Sequence, residues 1–216
     1  MNDALPETPT LRRLEIATAV LLSIAGLVSA WASYQAALWG GEQANHYAQA
    51  NARTTEATRL SVIDGQAVGT DTLLFTAWLE AAAAGDKRRM LFFEYRFSPE
   101  MRAGFDIWRA RFPADLRLAP IDNRKRSQFP RPRHREGIEA QRLHAAAAAD
   151  FQAGDAANGI GDRFVAATVV LSTVLFLGGI SPLLKSTQVR VVLLALAAVI
   201  GVAASIFIFS LPAATL

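Results

Sequence analysis

Three stretches of this chain carry no charged side chain over a length that fits a bilayer, and they limit the fold more than any motif does. Ile16 to Ser33 and Phe164 to Ser181 each hold 18 such residues, and Val191 to Leu211 holds 21. At 1.5 Å rise per residue, 18 residues of helix make about 27 Å, close to the thickness of a hydrocarbon core. With 52% hydrophobic residues over 216 positions and a mean hydropathy of +0.22, the chain is too apolar for an ordinary soluble domain. The expected fold is an all-α integral membrane protein with three transmembrane helices, the first two extended into an antiparallel helical stalk that carries a small helical cap.

In chain order, residues 1–13 read as a disordered polar lead, 14–38 as the first span, 39–162 as stalk and cap, and 163–182 and 189–211 as the second and third spans. Trp31, Tyr34 and Trp39 cluster where the first span should emerge, as amphipathic aromatics do at headgroup level. Trp39 to Asp64 and Gly137 to Asp162 contain 26 residues each, matched arms of about 39 Å if helical. Glu42 to Arg59 has only Tyr47 as a large apolar residue, so this arm needs a partner to pack against.

Small residues recur at every fourth position on both arms: Ala25, Ser29, Ser33, Ala37 and Gly41 on the first, Ala149, Ala153, Ala157 and Gly161 on the second. Such strips let helix backbones approach closely and predict helix packing. Ser29→Leu and Ser33→Leu are therefore expected to loosen the stalk.

The middle segment changes character at Asp71 to Ala84, where Leu73, Leu74, Phe75, Trp78 and Leu79 form an apolar helical face. Gly85-Asp86 marks a stop and restart, and Met90 to Phe97 follows. Ser98-Pro99-Glu100 is a helix start, an N-cap with proline at the first helical position, leading into Met101, Phe105, Trp108 and Phe112. Three short helices with one shared aromatic core are expected. Residues 113–135 hold four prolines and seven basic residues and read as a loop. Its Arg124, Lys125, Arg126, Arg131, Arg133 and Arg135 are candidates for an anionic partner, either lipid headgroups or, with Phe129 as a stacking group, nucleic acid.

Arg12, Arg13, Lys185 and Arg190 flank the spans on one side, against Arg53 and Arg163 on the other. The positive-inside bias puts the N-terminus in the cytoplasm and the middle domain outside. That orientation disfavours nucleic acid. Arg12-Arg13 before an apolar run, with Val28-Ser29-Ala30 beyond, also fits a cleaved secretory signal. The length of the run, the acidic lead and the small-residue strip continuing past the cut favour an uncleaved anchor. With 22 basic against 19 acidic residues the formal charge is only +3, so whole-chain nucleic-acid binding is not indicated. The absence of cysteine removes disulfides and thiolate chemistry together.

The stretch Tyr34-Gln35-Ala36-Ala37-Leu38-Trp39-Gly40-Gly41-Glu42-Gln43-Ala44 resembles a signature of uncharacterised bacterial membrane proteins, a domain of unknown function with one N-terminal and two C-terminal spans. The likeness extends to Trp78-Leu79-Glu80, to Phe97-Ser98-Pro99-Glu100-Met101 running to Trp108, and to Asn158 with Gly161-Asp162-Arg163-Phe164. It implies a bacterial inner-membrane location and a helical middle domain, and no activity. The basic Pro-rich loop departs from that pattern.

No nucleophile elbow, P-loop, dinucleotide fingerprint or zincin pattern occurs, so an enzyme is not expected. Glu42, His46, Glu139 and His144 are of the residue types that could hold a metal across the stalk, but His46 and His144 lie at different heights, and neither metal nor cofactor is expected. A proton relay needs ionisable residues at membrane depth, and the three runs contain none. The expected function is therefore non-enzymatic, a structural or interaction protein whose partners are the bilayer and either another copy or an envelope protein. Tyr34, Gln35, Asn158 and Asp162, near the two stalk bases, are its interaction candidates. A component of an oligomeric channel or transporter is the alternative.

Overall fold

The computed structural model describes residues 9–110 and 134–215, and it is helical, with no strand among the described residues. Helix α1 runs Pro9–Ala84, α2 Lys87–Glu94, α3 Pro99–Ala110, α4 Arg135–Ile180 and α5 Thr187–Ser210, with a 3-10 turn at Ser181–Leu183 between the last two. Three of these, α1, α4 and α5, are long and apolar enough to cross a membrane. Two differences from the sequence reading concern α1. Residues 9–13, assigned to the lead, are its first turns, and Asp71 to Ala84, expected as a separate short helix, is its last part. No proline or helix-ending glycine motif interrupts α1 before Gly85, whose φ of 73° is the left-handed conformation that ends a helix.

The chain divides into two compact units, one made of residues up to Ala48 with those from Asp150 onward, the other of Gln49–Ala149. In the first, α1, α4 and α5 share two clusters of small and aliphatic side chains, the larger of which also holds the ring of Phe164. One gathers Ala32, Phe164, Ala167, Leu171, Ala204 and Ile208, and the other Ala25, Val174 and Ala197. Outward from these point large apolar residues, among them Leu27, Val169, Phe176, Val199, Ile206 and Phe209, all exposed. Span hydroxyls bond to their own helix: Thr18 to the Leu14 carbonyl, Thr168 to Val165, Ser172 to Thr168 and Ser205 to Gly201. In a medium without water, that is the cheapest way to satisfy a hydroxyl. Arg190 donates to the Leu184 and Pro182 carbonyls and so ties the turn between α4 and α5.

Buried positions on the long helices recur every seven residues. On α1 Ala25 and Ala32 are buried, and so are Ala50, Ala57, Asp71 and Trp78; on α4 Ala140, Ala147 and Gly154 are buried, and so are Ala157, Phe164, Leu171 and Gly178. The strip read from the sequence steps by four instead. Four residues turn a helix by about 400°, so such a strip drifts by about 40° per step, whereas seven residues drift by only about 20°. Accordingly Ala25 is buried and Ser29 half-buried, while Ser33, Ala37 and Gly41 are exposed; Ala149 is exposed, Ala153 and Gly161 half-buried and Ala157 buried.

In the second unit the core is aromatic: Phe75, Trp78, Phe97, Met101 and Phe105 are buried, with Met90, Phe93 and Trp108 packed against them. Trp78 and Phe105 meet edge to face at 4.9 Å, and Phe75 meets Trp108 likewise at 5.2 Å, an arrangement the ring quadrupoles favour. Phe112 and loop residues 113–133 lie outside the described residues.

Candidate functional site

The sequence candidates near the emergence of the first span all belong to the first unit. Gln35 is 1% exposed, and its amide brackets the backbone of Ala214: the Ala214 N–H donates to Oε1 at 2.8 Å, and Nε2 donates to the Ala214 carbonyl at 3.5 Å. Four residues on, the Trp39 indole N–H donates to the Pro212 carbonyl at 3.1 Å. A side-chain amide can donate to and accept from one extended backbone residue through separate atoms, which is why a buried glutamine suits residues 211–215, where no helix supplies partners. Asn158 donates instead to Asp162, one turn away on α4, at 3.2 Å. Tyr34 is exposed, its ring 6.0 Å from that of Trp31. The four candidates thus fall into a tail clamp at Gln35, a pair at Asn158 and Asp162, and an outward Tyr34.

Tyr47 makes a further polar contact there. Its hydroxyl donates to Asp155 at 2.6 Å. The carboxylate stabilises the neutral phenol and raises its pKa above the ordinary value. The ring fits because residue 154 is glycine: a Cβ there would stand 2.5 Å from Tyr47 Cε1. Nδ1 of neighbouring His46 is buried without a hydrogen-bond partner among the described residues.

The second unit holds a polar cluster that the sequence reading did not single out. Ser98 caps α3, its Oγ accepting from the Met101 N–H at 3.0 Å. The same hydroxyl donates to Asp71 Oδ2 at 2.6 Å, and the Ser98 N–H donates to Asp71 Oδ1 at 3.2 Å. Asp71 and His134 are both buried. His134 Nε2 stands 3.4 Å from Asp71 Oδ2 and Nδ1 3.9 Å from Glu100 Oε2, yet Nε2 makes no aligned hydrogen bond. The contact is therefore electrostatic proximity rather than a directed bond. Serine, histidine and aspartate together resemble hydrolytic machinery, but the Ser98 hydroxyl is engaged both as donor to Asp71 and as acceptor from the α3 backbone. What the arrangement does is fix α3 and the start of α4 to α1. The signal was present in the seven-residue seam, since Asp71 falls seven before Trp78.

Glu94 forms a second anchor. It accepts from the Trp78 indole and from Arg109, each at 2.8 Å, while its carbonyl accepts from Arg102 at 2.6 Å. Asp64 lies against Gly137 in the first turn of α4, so close that a Cβ at 137 would meet its carboxylate at 2.6 Å; a carboxylate beside a helix N-terminus is favourable. Of the basic candidates, Arg135 opens α4 and is exposed, and Arg124, Lys125, Arg126, Arg131 and Arg133 lie outside the described residues. Among the described residues no group of three or more histidine, aspartate or glutamate side chains is placed to hold a metal ion. No family profile, curated protein or solved structure matches the chain.

Proposed function

We propose that the protein is a non-enzymatic structural or interaction protein of the bacterial inner membrane, anchored by three spans and presenting its middle domain outside the cytoplasm as a stalk of two antiparallel arms with a helical cap. The observation that carries this reading is the division of labour between the units. One turns large aliphatic side chains outward and satisfies its hydroxyls within its own helices, as a lipid-embedded bundle does. The other buries aromatics and anchors its short helices through Asp71 and Glu94, as a water-exposed domain does.

Antiparallel arms are supported by contacts whose order reverses along the chain. In the first unit Leu22 lies by Gly178, Trp39 by Gly161 and Tyr47 by Gly154; in the second Asp64 lies by Gly137. Thr168 and Ser172, the hydroxyls that a wet channel lining would use, are spent on their own helix. The channel reading therefore gains nothing from them.

Because the chain has no cysteine, a single one at exposed Ala84 tests the orientation. Labelling of Ala84→Cys by a membrane-impermeant maleimide in intact spheroplasts is the expected result. Protection until lysis would reverse the topology and move the middle domain to the cytoplasm.

A further inference from the structure

Helix α2 forms because Asp86 caps it, Oδ1 accepting from the Arg89 N–H at 3.0 Å, and because Met90 and Phe93 pack onto the aromatic core of the second unit. Its opposite face has no partner among the described residues, and none of its eight residues is fully buried. Arg88, Leu91, Phe92 and Tyr95 follow one another at intervals of three, one and three, which aligns them on one stripe of the helix and its C-cap. Leu91 is 55% exposed, Phe92 50% and Tyr95 77%.

Cations surround these apolar groups. The Arg96 guanidinium lies 3.6 Å over the Phe92 ring centroid and donates to the Phe92 carbonyl at 3.1 Å. Arg102 stands 5.9 Å from the centre of the Tyr95 ring, and Lys87, Arg88 and Arg89 are exposed. The two acids of α2 and its N-cap are engaged elsewhere, Asp86 in capping the helix and Glu94 with Trp78 and Arg109. The outward face is thus apolar along its centre and basic around it.

From this face we infer that α2 is a docking surface for an anionic phospholipid bilayer, which names a partner class for the interaction role proposed above and rests on that reading. Two features select lipid over the other acidic surfaces. An acidic peptide would answer the cations but leave Leu91 and Tyr95 in water, whereas the boundary between headgroups and acyl chains takes both kinds of group at once. A nucleic-acid base would stack on an open aromatic face, and one face of the Phe92 ring is already taken by Arg96. Long cationic side chains laid along aromatic rings with their heads outward are the arrangement an interface favours.

The test uses the full-length chain with Ala84→Cys carrying an environment-sensitive fluorophore, held in nanodiscs. In one arm the disc itself contains phosphatidylglycerol; in the other the disc is phosphatidylcholine and phosphatidylglycerol vesicles are added. Brominated acyl chains in the anionic membrane act as quencher. Quenching is expected in at least one arm. It should fall with added salt and need about tenfold or more anionic lipid after Arg88→Glu with Arg96→Glu, and it should weaken likewise after Phe92→Ser or, as a second apolar variant, Leu91→Ser. Equal quenching in pure phosphatidylcholine, none in either arm, or full affinity retained by the variants would overturn the inference. So would capture by soluble polyglutamate or a single-stranded oligonucleotide that depends on Arg88 but not on Phe92. Retention of the chain in the washed disc reports the membrane reading separately, so a failed docking result leaves that reading standing.

Discussion

The two units solve the problem of a core in opposite ways. In the first, small and aliphatic residues meet at the helix seams around one buried ring, Phe164, while many large aliphatics face out; in the second, Phe75, Trp78 and Phe105 are inside and charged side chains such as Lys87, Arg88 and Arg89 are outside. A seven-residue seam recurs in both, so helix geometry is not what separates them. The solvent is. Between helices in lipid no hydrophobic force acts, and close approach through small residues is what holds them. In water, removing aromatic area from solvent is the main favourable contribution, and it is large enough to tolerate a buried aspartate whose two oxygens each accept a hydrogen bond.

The contrast can be broken most severely at Trp78. Trp78→Ala should destabilise the second unit by about 3–5 kcal/mol, because it empties the aromatic centre and leaves the Glu94 carboxylate with Arg109 alone of its two side-chain donors. Loss of the near-ultraviolet circular dichroism of the aromatic core, with the helical signal of the spans retained, would be the readout. If both signals melted together, the units would share one cooperative core and the distinction would fail. Asp71→Ala should cost about 3 kcal/mol, since it strands the Ser98 N–H and hydroxyl and leaves His134 without its carboxylate. Asp71→Asn, which keeps one of the two acceptors that Ser98 uses, should cost less, and equal thermal midpoints for the two variants would remove the cluster from the account.

Gln35→Leu asks whether the first unit depends on any buried polar contact. The tail should lose its clamp at a cost of about 1–2 kcal/mol, read as faster carboxypeptidase trimming of residues 211–215. Unchanged trimming would mean the tail is held by Trp39 alone. The smallest expected effect is at Tyr47. Hydrogen bonding to Asp155 raises its phenol pKa, so whatever the contact contributes is complete below the ordinary tyrosine pKa and is lost as pH rises through the raised one. In Asp155→Ala the phenolate absorbance of Tyr47 should return toward the ordinary titration; an unmoved titration would discount the bond.

Much of this was legible because its signals are local. Uncharged runs of 18 and 21 residues need no tertiary context to be read as spans, and the Ser98-Pro99-Glu100 start became a capped helix with Met101 and Phe105 buried. Two things were hidden. The buried face follows steps of seven, and a step of four looks equally regular in sequence until its angular drift is followed for several turns; Ser33→Leu should for that reason change stability by under about 0.5 kcal/mol. The polar contacts were hidden because they join residues far apart in the chain. Asp71 meets Ser98 across 27 positions and Gln35 meets Ala214 across 179, and nothing in the neighbourhood of a single glutamine states which backbone it will hold.

The tail clamp also sets an order of events during synthesis. Gln35 and Trp39 leave the ribosome long before Pro212 and Ala214 exist, so the first helix must wait with an open amide and indole until the segment after α5 has been made. A nascent chain stalled at Ser210 would carry all three apolar helices yet lack the latch that joins the earliest to the last. Completion of the bundle is thereby tied to completion of translation through residue 214, and a tag fused beyond that point would be read first at Gln35.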